Sequence, residues 1–362
     1  VTERTGWHRH SFPKGPGHIL IDLSHMIRDK SDQGWLVDDA HLALDADGTL
    51  TGGRRVFRWA KGRRIFFAMQ FSRKPDRIAF YGDEDAEQPA GAERVAGKRV
   101  KAALFYDDAG AAPILIRCGI SAVDVAGARA NLAPHATHWN FDRVRNAAAA
   151  RWNAALGGIA VEGGTPDQRV VMASAFYHAL LAPTLLSDVD GRYPGLDGKI
   201  QQVPADAAAY SSYSLWDVYR AQLPLLTLVA PERSKHFVDD LIRQTAQSPF
   251  GPLVWPLQGK ETGTMIGWHG VVPLAEAQAK GISADYAAAW PAIRRRSFDF
   301  SVPDKDNSLG RDLYDAKGYV PADKVFESVS RTQEYAYDDW ASSHLARAVG
   351  AGEDAERLRR RS

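Results

Sequence analysis

Residues 165–199, TPDQRVVMASAFYHALLAPTLLSDVDGRYPGLDGK, decide the fold class because they mark where a strand pattern gives way to helices. Thr165 followed by Pro166 is a typical helix start, since Thr caps free backbone N–H groups and Pro fits the first turn. The Ala-rich and apolar residues that follow predict a helix to about Leu186. A loop rich in Gly and Asp comes next, and loops of this kind often carry functional side chains.

The chain beyond this stretch predicts further helices joined by long loops. The predicted helices or helix pairs span 211–229, 231–247, 270–281, 283–297 and 322–350. Paired helices with conspicuous loops at one end favour a toroid of helical hairpins, whose loops build a site at one rim. We therefore predict a helical catalytic domain over residues 165–362.

The chain before this stretch has short runs of alternating apolar and polar residues, broken by Gly, Pro and Asp. Examples are Arg64–Phe71, Arg77–Tyr81 and Arg99–Tyr106. Several short strands with turn signals at this spacing predict an antiparallel β-sandwich, which we place at residues 1–138. Residues 139–164 predict a linker helix and a connection, because they are rich in Ala and Arg and contain no Pro.

Composition restricts the classes of function. The 362 residues include 45 Lys and Arg against 44 Asp and Glu, a net charge of +1, which argues against a nucleic-acid binder. No apolar stretch reaches the roughly 20 residues that a membrane span needs. Cys118 is the single cysteine, so the chain contains no internal disulfide. The chain begins at Val1 and ends in a helical pattern, so we expect it to be an internal piece of a longer protein, truncated at both ends.

Two groups of polar residues are candidate binding sites. The loop that contains Asp188 and Asp190 does not match an EF-hand, because Arg192 occupies the fifth position, where an oxygen ligand is required. Its carboxylates could bind the hydroxyl groups of a sugar or could hold the loop itself in Asx turns, and residue types leave both open. His8 and His10 share a strand face, but a third ligand is not in view, so we expect surface histidines.

In a helical segment at 211–220, Tyr213, Trp216, Asp217 and Arg220 fall at spacings of three and four, so their side chains can point the same way. They could form a site with an aromatic ring, a carboxylate and a guanidinium. The alternative is an ion pair between Asp217 and Arg220 with Trp216 in the core. Spacing alone favours this alternative, because helical ion pairs are common.

Residues 255–269, WPLQGKETGTMIGWH, are the most informative for chemistry. Glu261 lies in a Gly-rich loop between Trp255 and Trp268. Desolvation by aromatic neighbours disfavours the charged form of a carboxyl group, which would let Glu261 donate a proton near neutral pH. A glycosidase acid needs this property. The alternative is a solvated Glu paired with Lys260.

Several motifs together resemble family 92 of the glycoside hydrolases, the calcium-dependent exo-acting α-mannosidases. They are Ser214-Leu-Trp-Asp, Trp255-Pro-Leu, Glu261-Thr-x-x-Met-Ile-Gly-x-His and Glu334-Tyr-Ala-Tyr-Asp-Asp-Trp. The resemblance runs from about His18 to the end of the chain. It implies a β-sandwich followed by an (α/α)6 barrel, both partial here.

The resemblance also implies a reaction, namely hydrolysis of terminal α-mannosides, with α-1,2 links expected, and inversion at the anomeric carbon. Glu261 would be the general acid, an Asp would be the base, and Ca²⁺ would bind the mannose. The residues expected to bind the sugar are Asp188, Asp190, Trp216, Asp217, Arg220, Trp255 and His269. Mannose-containing glycans are the expected partners, and the expected location is periplasmic or extracellular.

The chain departs from the family pattern in two ways. Lys260 and Trp268 stand where Asn and Tyr are usual. The motifs tied to calcium and to the base would lie beyond Ser362, so we expect this chain alone to be inactive or nearly so. Two alternatives remain, a non-catalytic carbohydrate-binding or scaffold protein of the same fold and another (α/α)6 glycosidase. The sequence does not identify the calcium ligands or the oligomeric state.

Overall fold

A computed structural model describes residues 1–26, 36–57, 59–302 and 306–362. Its internal contacts divide the chain into two compact units. The first contains Val1–Ala155, Leu185–Pro194 and Gln202–Ala205, and the second contains Leu156–Thr184, Gly195–Gln201 and Asp206–Ser362. Each unit is described by itself below.

The first unit is built on two antiparallel sheets, as the sequence predicted. Their strands in the described ranges are β1 Thr5–His10, β2 Gly17–Asp22, β3 Val37–Leu44, β4 Leu50–Val56, β5 Arg63–Phe71, β6 Arg77–Tyr81, β7 Arg94–Gly97, β8 Lys101–Tyr106 and β9 Ile114–Ser121. One sheet has the order β1-β9-β5-β4-β3-β7 and the other has the order β2-β8-β6. All of these neighbours pair antiparallel.

Apolar side chains of both sheets form one core. Ile19, Phe80 and Leu104 come from the three-stranded sheet and join buried residues of the six-stranded sheet such as Leu42 and Ile116. Alternation along each strand explains this, since every second side chain points to the same face. The β-sandwich prediction is therefore confirmed.

A helix covers the other face of the six-stranded sheet. This helix, α1, spans Val125–Leu132, and its N-cap residue Asp124 accepts a hydrogen bond from Gly127 N. A Cβ on Gly119 of β9 would lie 2.3 Å from the carbonyl oxygen of Ala128, so only glycine allows the helix to approach this closely. Ala68, Ala128 and Leu132 fill the contact.

Helices dominate the rest of the chain. They are α2 Phe141–Leu156, α3 Pro166–Ala179, α4 Leu215–Val218, α5 Gln222–Val229, α6 Pro231–Gln247, α7 Val271–Ala279, α8 Tyr286–Phe298, α9 Arg311–Lys317, α10 Ser328–Ala348 and α11 Gly352–Arg361. Short strands occur between them, β10 Thr184–Leu185, β11 Arg192–Pro194, β12 Ile200–Gln202, β13 Tyr210–Ser211, β14 Pro256–Leu257 and β15 Lys260–Glu261. In the second unit, α6 packs on α5 and α8, and α10 packs on α7 and α11.

A helical domain after the sandwich is therefore confirmed, whereas the closed toroid stays a prediction. Two helix predictions were too long. The helix that begins after the Thr165 cap ends at Ala179 and not at Leu186, because Pro183 cannot continue it. The predicted helix over 211–229 is divided into α4 and α5, since Pro224 is tolerated only in the first turn of a new helix.

The contact units also differ from the predicted limits 1–138, 139–164 and 165–362. Leu185–Pro194 groups with the first unit and not with the helical residues around it. Hydrogen bonds within the first unit explain the difference, because Asp188 bonds to Ser121 and Asn131. No helix in the described ranges is both long and apolar enough to cross a bilayer.

Candidate active site

Glu261 lies on a short hairpin of the second unit. β14 and β15 pair antiparallel, with Pro256 opposite Glu261, and Gln258-Gly259 forms the turn. Both turn residues have positive φ, 49° for Gln258 and 75° for Gly259, as the tightest hairpins require. Gln258 N donates to Ser211 Oγ at 2.5 Å, which anchors the tip. The sequence therefore sets the position of Glu261 through a two-residue turn.

Backbone N–H groups surround the carboxylate of Glu261. Val254 N donates to Oε2 at 3.0 Å, Trp255 N donates to Oε1 at 3.1 Å, and Gly263 N donates to Oε1 at 2.9 Å. The residue is 9% exposed. Such donors stabilise the charged form of a carboxyl group. This environment differs from the apolar pocket that the sequence suggested for Glu261.

The two flanking tryptophans explain the difference. Trp268 is buried, and its ring stacks on Tyr335 with centroids 5.0 Å apart, so its indole belongs to the core of the second unit. Trp255 is half-buried and contributes its backbone N–H to Glu261. The described contacts of the Glu261 carboxylate are therefore with main-chain N–H groups and not with two indole rings.

A cavity of about 360 Å³ lies beside this loop. We call it the Trp216 cavity. Its lining includes Trp216, Gly263, Met265, Phe326, Glu327 and Arg331. Gly263 is the residue whose N–H holds Glu261, so the cavity adjoins the candidate acid. Aromatic faces combined with charged side chains suit a sugar, which has apolar ring faces and polar edges.

His269 is fully buried, with 0% exposure, between two carboxylates. Its Nδ1 contacts Oδ1 of Asp338, and its Nε2 lies 2.8 Å from Oε2 of Glu334. Burial disfavours a charge on the ring, but the two carboxylates outweigh it and raise the pKa of His269 to about 9. The side chain has no exposed surface in this structure, and contact between His269 and sugar stays a prediction.

Asp338 is held by the main chain as well as by His269. Trp268 N donates to its Oδ2 at 2.6 Å. Gly267 leaves room for this contact, because a Cβ there would lie 2.6 Å from the same oxygen and 2.9 Å from the ring of His269. Its φ of 90° also favours glycine. Burial raises the pKa of Asp338, against the effect of His269.

The structure brings Trp216 and Arg220 together and leaves Asp217 apart. The guanidinium of Arg220 lies 4.6 Å from the centre of the Trp216 ring and 4.8 Å from that of Tyr219. Its Nη2 is 3.8 Å from Oε1 of Glu334. Asp217 is exposed, so the expected ion pair between Asp217 and Arg220 was wrong, and Glu334 is the partner of Arg220.

Asp188 and Asp190 belong to the first unit. Asp188 is 2% exposed and accepts hydrogen bonds from Ser121 Oγ and Asn131 Nδ2, both at 2.7 Å. Burial raises its pKa, in spite of these donors. Asp190 pairs with Arg192 at 2.7 Å and is exposed. These contacts favour the structural interpretation of the loop, and sugar binding by either Asp stays a prediction.

Metal ligands do not cluster around these residues in the described ranges. In the ranges that the structure describes, no three His, Cys, Asp or Glu side chains converge to hold a metal ion. His8 and His10 stack with ring centres 6.0 Å apart, as expected for neighbours on one strand face. The calcium ion that the resemblance implies therefore stays a prediction, without a group of carboxylate ligands among the described residues.

Sequence reasoning missed Glu334 and Asp338 as members of the site. Both lie on α10, four residues apart, so they project from one face of the helix towards His269. The motif Glu334-Tyr-Ala-Tyr-Asp-Asp-Trp contained them. Two carboxylates at this spacing within one helix were the available signal.

Comparisons with known proteins agree with this architecture. Residues 127–362 match the family model described as the glycosyl hydrolase family 92 catalytic domain, and residues 1–121 match that of the family's N-terminal domain. A curated relative from Arthroderma benhamiae, named an uncharacterized secreted glycosidase, is 24% identical over 97% of this chain and 44% of its own length.

Two solved structures from Bacteroides thetaiotaomicron are also similar. The family GH92 α-mannosidase BT3965 has a TM-score of 0.88 and 28% identity, over 100% of this chain and 47% of that one. The family GH92 inverting mannosidase BT2199 has a TM-score of 0.84 and 25% identity, over 99% of this chain and 47% of that one. The chain thus spans about half the length of the relatives that it matches.

Proposed function

The chain belongs to glycosyl hydrolase family 92, and from this premise we propose that it acts in the hydrolysis of terminal α-mannosides of glycans, with α-1,2 links as first choice and inversion of configuration. Membership removes the alternative of a different (α/α)6 glycosidase. An exported protein, periplasmic or extracellular, is proposed with it, since the fungal relative is named a secreted glycosidase.

One observation supports this proposal most directly. The carboxyl group of Glu261 is fixed next to a cavity that has an aromatic wall, because Gly263 both binds Glu261 and lines the Trp216 cavity. Holding a reacting group in one orientation reduces the entropy that the transition state must lose. We assign Glu261 as the general acid and Trp216 as the face on which the mannose ring stacks.

Inverting hydrolysis needs a second carboxylate roughly 6.5–9.5 Å from the acid, with room for water between them. We place this base outside the 362 residues, since no motif of the chain supplies one. We accordingly propose that the chain alone hydrolyses mannosides little or not at all. Asp217, Arg220 and Trp255 are proposed to contact the sugar, Asp217 with its exposed carboxylate.

Calcium assistance is a proposal that rests on the family and not on ligands in this chain. A chelator tests it. Activity of the full-length protein should fall after chelation and return when calcium is added. Activity that a chelator leaves unchanged would contradict the proposed calcium.

The Glu261→Gln variant of the full-length protein tests the acid. An aryl mannoside with a good leaving group needs little protonation, so its hydrolysis should survive better than that of mannobiose. Glu232→Gln, at an exposed Glu in the first turn of α6, is the matched control and should act like wild type. Equal losses on both substrates would refute the assignment.

A second candidate function is a protein that binds carbohydrate without hydrolysing it. The N–H donors to Glu261 favour it, because they hold its carboxyl group to the main chain, an arrangement that a structural or binding role also explains. This candidate predicts that the full-length protein binds a mannoside and releases no mannose. Release of mannose by wild type and its loss in Glu261→Gln would exclude it.

A further inference from the structure

His269, Glu334 and Asp338 form a buried group in which two carboxylates face one imidazole ring. Each ring nitrogen of His269 faces a carboxylate oxygen, one from Asp338 and one from Glu334. The Nδ1 contact with Asp338 is a hydrogen bond, whereas Nε2 lies within ion-pair distance of Glu334 but is not aligned for a hydrogen bond. A proton on both nitrogens would place a buried cation between two carboxylates, whose attraction offsets the cost of burying its charge.

The same group reaches the Trp216 cavity. The second oxygen of Glu334 lies 3.8 Å from Nη2 of Arg220, and Arg220 covers the Trp216 ring at 4.6 Å. The indole of Trp216 lines the cavity. A continuous series of contacts therefore leads from the buried imidazole to the cavity wall, through one carboxylate and one guanidinium.

We propose that His269 is a positioning residue, whose imidazole holds Glu334 against Arg220 and so fixes the Trp216 indole at the wall of the cavity. The proposal depends on the proposed function in one respect, namely that the sugar bound at this wall is mannose. In this proposal, His269 affects sugar binding through the side chains of Glu334, Arg220 and Trp216 and does not contact the sugar itself.

The groups that face His269 agree with this role. Asp338 and Glu334 approach it from α10, and the rings of Tyr219 and Tyr337 pack beside it at 5.0 and 6.4 Å. Arg220 lies beyond Glu334 and not against the ring. Burial opposes ionisation of Glu334, but His269 and Arg220 lower its pKa, so a carboxylate is available to both cations.

The first test follows Trp216 in this 362-residue chain. The indole N–H signal of Trp216 in ¹H–¹⁵N spectra is identified by its loss in Trp216→Phe. We expect this signal to shift in both Glu334→Gln and His269→Gln, and the double variant to show no larger shift than the greater single one. His236→Gln, at an exposed residue of α6, is the matched control and should leave it unchanged.

Glu334→Gln should fold even if His269→Gln does not, because Glu334 is partly exposed and its loss leaves Asp338 paired with His269. An unchanged Trp216 signal in folded Glu334→Gln would overturn the proposal. Additive shifts in the double variant would overturn it as well, since they would mean that His269 does not act through Glu334.

The second test measures binding of methyl α-D-mannopyranoside by the full-length protein. Affinity should fall about tenfold in either variant, a loss of about 1.4 kcal/mol. The affinity of wild type should also fall as the pH rises through about 9, where His269 loses its proton. No such fall should occur in Glu334→Gln. Equal affinities of wild type and variants would overturn the proposal but leave the proposed function intact. If wild type binds no mannoside, while the Trp216 signal shifts in Glu334→Gln and His269→Gln as expected, only the proposed function is overturned.

Discussion

Raising the pH from 6 to 9.5 should destabilise the helical unit through His269. The folded protein holds the proton of His269 more tightly than the unfolded chain, since its pKa rises from 6.5 to about 9. A group with a raised pKa contributes stability that is fully present below pH 6.5 and is lost as the pH rises through 9. At 1.36 kcal/mol per pH unit, the free energy of unfolding should decrease by about 3 kcal/mol.

Urea denaturation at several pH values, followed by near-ultraviolet circular dichroism, measures this decrease. His269→Gln is the reference, because it lacks the titrating group. The difference between wild type and variant should shrink by about 1.4 kcal/mol per pH unit between pH 6.5 and 9. Burial raises the pKa values of Tyr219 and Cys118 to about 12, so neither group titrates in the folded protein in this window. Their ionisation in the unfolded chain is common to wild type and variant and cancels in the difference between them.

Two outcomes would refute this reasoning. The same pH dependence in wild type and in His269→Gln would mean that His269 carries no proton between its carboxylates. A wild type that gains stability relative to the variant between pH 6.5 and 9 would reverse the sign. Either result would also remove the electrostatic basis for the ordered contacts around Glu334.

Two further predictions concern the first unit. Asp188→Ala should lower the free energy of unfolding by about 2–3 kcal/mol, because Ser121 and Asn131 lose a buried acceptor. Asp190→Ala should lower it by less than about 1 kcal/mol, because Asp190 forms an exposed ion pair with Arg192. Thermal unfolding of the two variants checks this contrast, and equal losses would contradict it. Burial raises the pKa of Cys118 to about 12, so a thiol reagent at pH 8 should label the native protein at less than roughly one hundredth of the rate in urea, and rapid native labelling would be the contrary result.

Much of the fold could be predicted because local sequence and tertiary packing agree. The helix predicted over 231–247 matches α6, since Pro231 fits a first turn and the pattern that follows is strongly amphipathic. The prediction over 211–229 failed, because helical spacing carries no warning of the positive φ at Ser212 or of a restart before Pro224. Apolar periodicity locates elements better than it locates their ends.

The candidate site could be predicted only in part. The motif around Glu261 indicated the right loop, but the donors to its carboxylate are main-chain N–H groups, which residue types do not reveal. The role of Glu334 depends on contacts between distant segments, since 65 residues separate it from His269 along the chain. Such contacts are a property of the packing and have no local sequence signal.

The spacing of Glu334 and Asp338 along α10 has a consequence for insertions and deletions. Each residue turns an α-helix by about 100°, so one added or lost residue between Ser328 and Glu334 keeps the pair together but rotates it away from His269 or shifts it along the axis. The contacts of His269 therefore depend on the rotation of α10 about its own axis. Relatives that keep this group should accept length changes in the loop before α10 and none within its first two turns.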